Sequence, residues 1–198
     1  MRTAYSFIIV VVLSTITSCS KSRDKAVNPP EPLHPDKFLK YTIFKGQQYS
    51  DKNFIATVEY DELKFLVKFD SSAIYQTIDP ANQADINKLY GFSDNNAQHQ
   101  DFSARFGWCW NKDSLRLFAY IYNNGVRSSK QLGVINIGTE YNCAIKVSDS
   151  TYIFKLDDKV QTMKRSSTTP KGKGYKLYPY FGGNETAPHD IHIWIDEQ

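Results

Sequence analysis

No nucleophile motif, phosphate-binding loop or metal-ligand cluster occurs in these 198 residues. Those absences close the usual routes by which a sequence names a reaction. Gly172-Lys173-Gly174 lacks the spaced glycines, the Lys-Ser/Thr pair and the following helix of a phosphate loop. His189-Asp190-Ile191-His192 has no third ligand in view, and in an extended strand its two histidines point to opposite faces. Neither a metal nor a cofactor is expected. Charge of one sign is also scarce. The formal net charge is +3, and about +2 without the leader that carries Arg2, too little to imply nucleic acid. Of the three cysteines, Cys109 and Cys143 show no CxxC spacing and no paired base. They could pair in an oxidising compartment, but two small buried side chains are the favoured reading.

Long hydrophobic runs are missing too. Phe7-Ile-Ile-Val-Val-Val-Leu13 is too short for a membrane helix, which needs about 20 apolar residues. Behind Met1-Arg2 it fits a secretory leader instead. Ile16-Thr17-Ser18-Cys19 resembles a bacterial lipobox. That resemblance implies cleavage before Cys19, acylation of its thiol, and an anchor stabilised by about 0.8 kcal/mol per buried methylene. The expected organisation is a signal peptide over 1–18, a lipidated tether over 19–37 and one folded domain over 38–198. The tether reading rests on Pro29, Pro30, Pro32 and Pro35, which hold the segment extended amid almost no core-forming residues. The expected place is the bacterial cell envelope, at the outer membrane, with the membrane a partner through the lipid.

What is abundant is short strands. Residues 38–44, 54–59, 64–69, 104–110, 115–122, 141–147, 152–156, 175–181 and 191–195 are rich in β-branched and aromatic side chains. Gly, Asn, Asp, Ser and Pro bound them, with tight-turn signals at Asn124-Gly125 and Asp149-Ser150. One helix is predicted, opening at Asp79-Pro80, where aspartate can cap and proline suits the first position, and running to about Leu89. There is no internal repeat. The predicted fold is all-β: a two-sheet antiparallel sandwich with one short helix. Residues 159–176, with six basic side chains and no acidic one, read as a solvated loop, or less readily as a polyanion dock.

The segment from Ser103 to Gly125 carries the functional expectation. A two-residue turn at Lys112-Asp113 sets Trp110 opposite Leu115, Trp108 opposite Leu117 and Phe106 opposite Ala119. The other face then pairs Cys109 with Arg116, Gly107 with Phe118 and Arg105 with Tyr120. A further turn at Asn124-Gly125 sets Tyr122 opposite Arg127, Tyr120 opposite Ser129 and Phe118 opposite Gln131. One face is core. The other presents Arg105, Arg116, Phe118, Tyr120, Tyr122, Arg127 and Gln131, and a one-residue slip would exchange the two. Aromatic rings stack on sugar C–H faces, and guanidinium groups take carboxylate or sulfate bidentately. These seven residues are therefore the candidate ligand face. The plainer alternative has the tyrosines packed under a loop and the arginines paired with surface acids.

Ile86-Asn-Lys-Leu-Tyr-Gly-Phe-Ser-Asp94, Ser103-Ala-Arg-Phe-Gly-Trp108 and Tyr178-Pro-Tyr-Phe-Gly-Gly-Asn-Glu-Thr-Ala-Pro-His-Asp-Ile191 resemble motifs of uncharacterised lipoproteins from gut-type Bacteroidota. More loosely, the strand plan is similar to the concanavalin-like jelly roll of lectins, glucanases and alginate-type polysaccharide lyases. Those lyases place an arginine, a glutamine or asparagine, a histidine and a tyrosine on the concave sheet. Here Gln98 and His99 are adjacent in a polar loop, not spaced on a strand, and Tyr180-Phe181-Gly182-Gly183 replaces the closing Tyr-Phe-Lys-Ala-Gly. The expected function is non-catalytic carbohydrate binding by an envelope lipoprotein. The alternatives are a lyase acting on a uronate polymer, with Tyr120 or Tyr122 as acid/base, and an assembly lipoprotein whose partner is another envelope protein. A glycosidase would need two carboxylates at fixed separation, and no position of the patterned face is acidic.

Overall fold

The computed structural model describes residues 38–198; the expected signal peptide, the lipidation site Cys19 and the tether lie outside the described residues. Twelve strands follow one another: β1 (Leu39–Ile43), β2 (Thr57–Tyr60), β3 (Glu62–Phe69), β4 (Asn87–Ser93), β5 (Phe102–Trp110), β6 (Leu115–Asn123), β7 (Val126–Ile135), β8 (Tyr141–Val147), β9 (Thr151–Leu156), β10 (Lys159–Lys164), β11 (Gly172–Leu177) and β12 (Ile191–Glu197). They form two six-stranded sheets, ordered β1-β12-β3-β8-β9-β10 and β2-β11-β4-β5-β6-β7. Every pairing between them is antiparallel. This is the predicted all-β sandwich.

The β5–β6–β7 meander keeps the predicted register: Arg105 opposes Tyr120, Trp108 opposes Leu117 and Tyr122 opposes Arg127. Its two turns demand left-handed backbone. Lys112 and Asp113 have φ of 52° and 50°, and Asn124 and Gly125 have 53° and 76°. Two successive positive-φ residues make the turn whose twist matches the flanking strands. The inward side chains lock the sheets together through aromatic edges. Phe65 meets Phe106 with ring centroids 5.5 Å apart, Phe106 meets Phe154 at 5.4 Å, and Phe69 meets Trp108 at 5.4 Å. All five rings are at most 1% exposed.

Three expectations need correction. The helix from Asp79 to Leu89 is a single 3-10 turn, Pro80–Ala84. Asp79 does cap it, accepting from the Ala81 amide at 2.9 Å. So short a stretch cannot offset the cost of helix nucleation, whereas Leu89, Tyr90 and Phe92 become buried by entering the sheet as β4. Second, 159–176 is not a solvated loop but contains β10 and β11. Its strands carry few inward apolar groups, Met163 and Leu177 among them, so their alternation is faint. Third, the 175–181 strand ends at Leu177 and the 54–59 strand begins at Thr57. Cys109 and Cys143 are both buried free thiols, on strands of different sheets.

The register of β4 against β5 slips between Lys88 and Gly91. The bulge lets Leu89 and Tyr90 both be buried while Lys88 stays on the face that carries Arg105. Gly91 then lies against Arg105. A Cβ there would overlap the Ala104 carbonyl oxygen and the Arg105 Cα and Cβ. Gly91→Ala is therefore expected to destabilise the domain by about 1–3 kcal/mol and to displace Arg105. Thermal unfolding checks this, and an unchanged melting temperature would contradict it.

Candidate functional site

The outward face of the β2-β11-β4-β5-β6-β7 sheet carries a cavity of about 590 Å³. Its floor is the meander: Arg105 from β5, Tyr120 and Tyr122 from β6 and Arg127 from β7. Its walls come from segments remote in sequence. Tyr178, Pro179 and Tyr180 follow β11, and Tyr180 exchanges backbone hydrogen bonds with Lys88 at 2.8 and 3.0 Å. Tyr49 lies edge-on to Tyr180 with centroids 4.9 Å apart. Phe54 and Ile55 form an exposed apolar rim, 61% and 91% accessible. His99, Gln100 and Tyr175 close the remaining side.

Four of the seven predicted face residues thus line the cavity: Arg105, Tyr120, Tyr122 and Arg127. Arg116, Phe118 and Gln131 lie further along the same face and do not. Arg116 instead donates to the Asn111 carbonyl at 3.0 Å and to Gln131 Oε1 at 3.3 Å, so this pair is satisfied locally. The strand period identified the face but not where along it the walls rise. Lys88, His99, Tyr175 and Tyr180 were missed because they reach the site through sheet order. The quoted motif from Tyr178 onward was a signal, since it supplies Tyr178, Pro179, Tyr180 and Gly183 to the lining.

The electrostatics are lopsided. Lys88, Arg105, Arg127, Lys176 and His99 line the cavity, and among the described residues no aspartate or glutamate does. Lys176 is neutralised by Glu197 at 2.6 Å. Arg105 is not neutralised. It is 7% exposed, its Nε has no hydrogen-bond partner, and among the described residues no carboxylate pairs with it. Its guanidinium carbon lies 5.4 Å from the Tyr120 ring centroid, a cation–π contact that gives some attraction but no counter-charge. Burial accordingly pulls its pKa below the usual arginine value. Lys88 sits 5.1 Å over the same ring, and burial, then Arg105 and Arg127, push it down to about 8. Tyr120 moves the other way, up to about 12, chiefly through burial and then its hydrogen bond with Tyr122. It stays a proton donor near neutrality.

On one wall His99 Nδ1 lies 2.9 Å from Tyr175 Oη, which also accepts from the His99 backbone amide at 3.0 Å and donates to Gln98 Oε1 at 3.2 Å. Burial, and secondarily Arg105, lower the His99 pKa, so the neutral imidazole persists to lower pH than in an ordinary histidine.

No protein-family model matches the chain, and no curated protein matches it in sequence. Solved structures do share its fold. The catalytic domain of an endo-1,3-beta-glucanase (laminarinase) from Thermotoga petrophila superposes with a TM-score of 0.53 at 11% identity, covering 82% of this chain and 76% of that one. The alginate lyase AlyC3 gives 0.54 at 11%, covering 81% and 74%. LamAcat from Zobellia galactanivorans gives 0.50 at 15%, covering 82% and 76%. The class defined is a jelly-roll β-sandwich of the kind used by glucanases and alginate lyases. At these identities the likeness is one of fold.

Proposed function

We propose that this domain binds an acidic carbohydrate, without cleaving it, in the cavity floored by Arg105, as the ligand-binding part of an envelope lipoprotein anchored through Cys19. The observation that carries the reading is Arg105 itself: a buried cation with an unpartnered Nε at the base of a cavity free of carboxylates. An unpaired buried charge is costly, and a ligand carboxylate or sulfate meeting the two terminal guanidinium nitrogens bidentately supplies the missing counter-charge. Tyr122 and Tyr180, both half-buried, supply stacking faces and hydroxyl donors of the kind that sugar rings take, while the buried Tyr120 ring backs Arg105 and Lys88. The fold shared with a laminarinase and an alginate lyase supports a carbohydrate as the bearer of that charge. The absence of acidic groups from the lining argues against a glycosidase, which needs two.

A second reading, a polysaccharide lyase, is favoured by one specific contact, the His99–Tyr175 pair at 2.9 Å on the same lining as Arg105. In such a reaction a base removes the C5 proton of a uronate whose carboxylate Arg105 holds. The C4–O bond then breaks, the leaving oxygen takes a proton, and a C4–C5 double bond forms. Tyr120, held protonated, suits the acid and not the base.

A glycan array carrying neutral, carboxylated and sulfated chains tests the binding reading on the purified domain. Selective capture by acidic chains is expected, and Tyr122→Ala is expected to weaken it about tenfold, the scale of one lost aromatic contact. No binding, or equal binding of neutral chains, would contradict it. Ultraviolet absorbance from unsaturated ends, appearing when a bound polyuronate is incubated with the protein, would favour the lyase reading instead. Labelling with radioactive palmitate, lost in Cys19→Ser, tests the anchor.

A further inference from the structure

Lys88 occupies an unusual position among the cavity cations. Its pairing with Gly107, two residues along β5 from Arg105, sets it on the ligand face, where its ammonium donates to the Ile86 carbonyl at 2.6 Å. Gly182 closes over it: a Cβ at that residue would press on Nζ at 2.5 Å, so the head cannot swing freely away. The groups that face it are Arg105 from β5, Arg127 from β7, the Tyr120 ring from β6 and Asp85 from the turn before β4. Two guanidinium groups and one carboxylate leave it with more like charge than opposite.

We propose that the cavity takes up its anionic ligand together with a proton, which goes to Lys88 Nζ. The inference rests on the acidic-carbohydrate reading above. An anion seated on Arg105 and Arg127 turns the surroundings of Lys88 from repulsive to attractive, and the charged form is then favoured. Without ligand, burial and the two arginines hold Lys88 at about 8, with Asp85 pulling the other way. With ligand its pKa rises. Binding that raises a pKa is strongest below the free value and weakens as pH climbs through it towards the bound value. Affinity is therefore expected to be level below about pH 8 and to fall about tenfold per unit above it, until the bound pKa is reached. The arginines cannot contribute such a proton, since they do not titrate here. His99 is the other group able to accept one.

Calorimetry of a hexauronate binding to the purified protein, in buffers of different ionisation enthalpy, reads the proton count. Uptake of about half a proton at pH 8 and about nine-tenths at pH 9 is expected from a free pKa of about 8 rising to an ordinary lysine value. In Lys88→Arg, which keeps a fixed cation, uptake at pH 9 is expected to vanish. Persistence of uptake in that variant would assign the proton to His99 and overturn the inference. Binding without uptake in the unaltered protein would overturn it and leave the acidic-carbohydrate reading standing. Failure of both the hexauronate and a sulfated hexasaccharide to bind would overturn both. Should the variant not fold, the Lys88 Cε resonance titrates the same group directly. Its midpoint is expected near 8, rising by more than one unit with ligand, and an unmoved midpoint is the contrary result.

Discussion

Arg105→Met is expected to weaken binding of an acidic glycan by about 3 kcal/mol, on the order of a hundredfold, without lowering the melting temperature. The two halves of that expectation have one origin. Arg105 is buried, its Nε is unpartnered and no described carboxylate neutralises it, so in the free protein it opposes folding. A methionine keeps the aliphatic stem beside the Tyr120 ring without a charge to desolvate, and replacing buried ionic groups by apolar ones is often neutral or stabilising. The ligand, by contrast, loses its strongest contact, a charge-assisted pair shielded from water. Calorimetry and thermal unfolding on the same sample separate the two. Undiminished affinity would remove Arg105 from the site. A large loss of stability would assign it a structural role instead.

Arg165→Met should do the opposite: destabilise the domain by about 3–5 kcal/mol while leaving the cavity's own residues in place. Among the described residues Arg165 is the other buried arginine, and it is fully partnered. Its Nε lies 2.8 Å from Asp94 Oδ2, with the two side chains 1% and 0% exposed. Its Nη2 donates to the carbonyls of Thr169 and Lys171 at 2.6 and 3.1 Å and to Ser167 Oγ at 3.1 Å. Asp94 also accepts from Tyr152 Oη at 2.5 Å and from the Lys173 amide at 2.9 Å. This network ties the link between β10 and β11 to the end of β4. Removing the guanidinium strands a carboxylate that cannot reach water. Burial works to raise the Asp94 pKa, but Arg165, Tyr152 and the backbone amides outweigh it and hold the carboxyl below its ordinary value. A depressed acid contributes stability above its unfolded pKa, about 4. That contribution is lost as pH falls through the lower folded value. Acid unfolding of the unaltered protein is thus expected below about pH 4, and Arg165→Met should narrow the gap in stability between pH 7 and pH 3. Denaturant melts at the two pH values check it. Equal losses at both would show that the pair contributes packing alone.

The contrast between these two arginines shows how far the sequence could be read. Alternation over 104–122, with turn residues at Lys112-Asp113 and Asn124-Gly125, determined the register of the meander. The register placed Arg105, Tyr120, Tyr122 and Arg127 on one face. Period and turn chemistry act over a few residues, and they were sufficient there. They could not say that β11 lies beside β4, which is what brings Tyr175 and the 178–180 segment over that face. Nor could they separate Arg165 from its basic neighbours, because its burial depends on Asp94, 71 residues away. Lys88 was assigned to a helix because the cap at Asp79 is real. What overrode it was the burial of Leu89, Tyr90 and Phe92, a gain available only once the second sheet is present.

The most direct test of an acidic-carbohydrate site compares one hexauronate with its carboxyl-reduced counterpart, the same chain with each carboxylate converted to an alcohol. Calorimetry at pH 7, where Lys88 is largely charged, reads both. The acidic chain is expected to bind, and the reduced chain to bind at least a hundredfold more weakly, because Arg105 then has no anion to pair with. Equal affinity for the two chains would contradict the role given to Arg105 and make the tyrosine shelf the whole of the site.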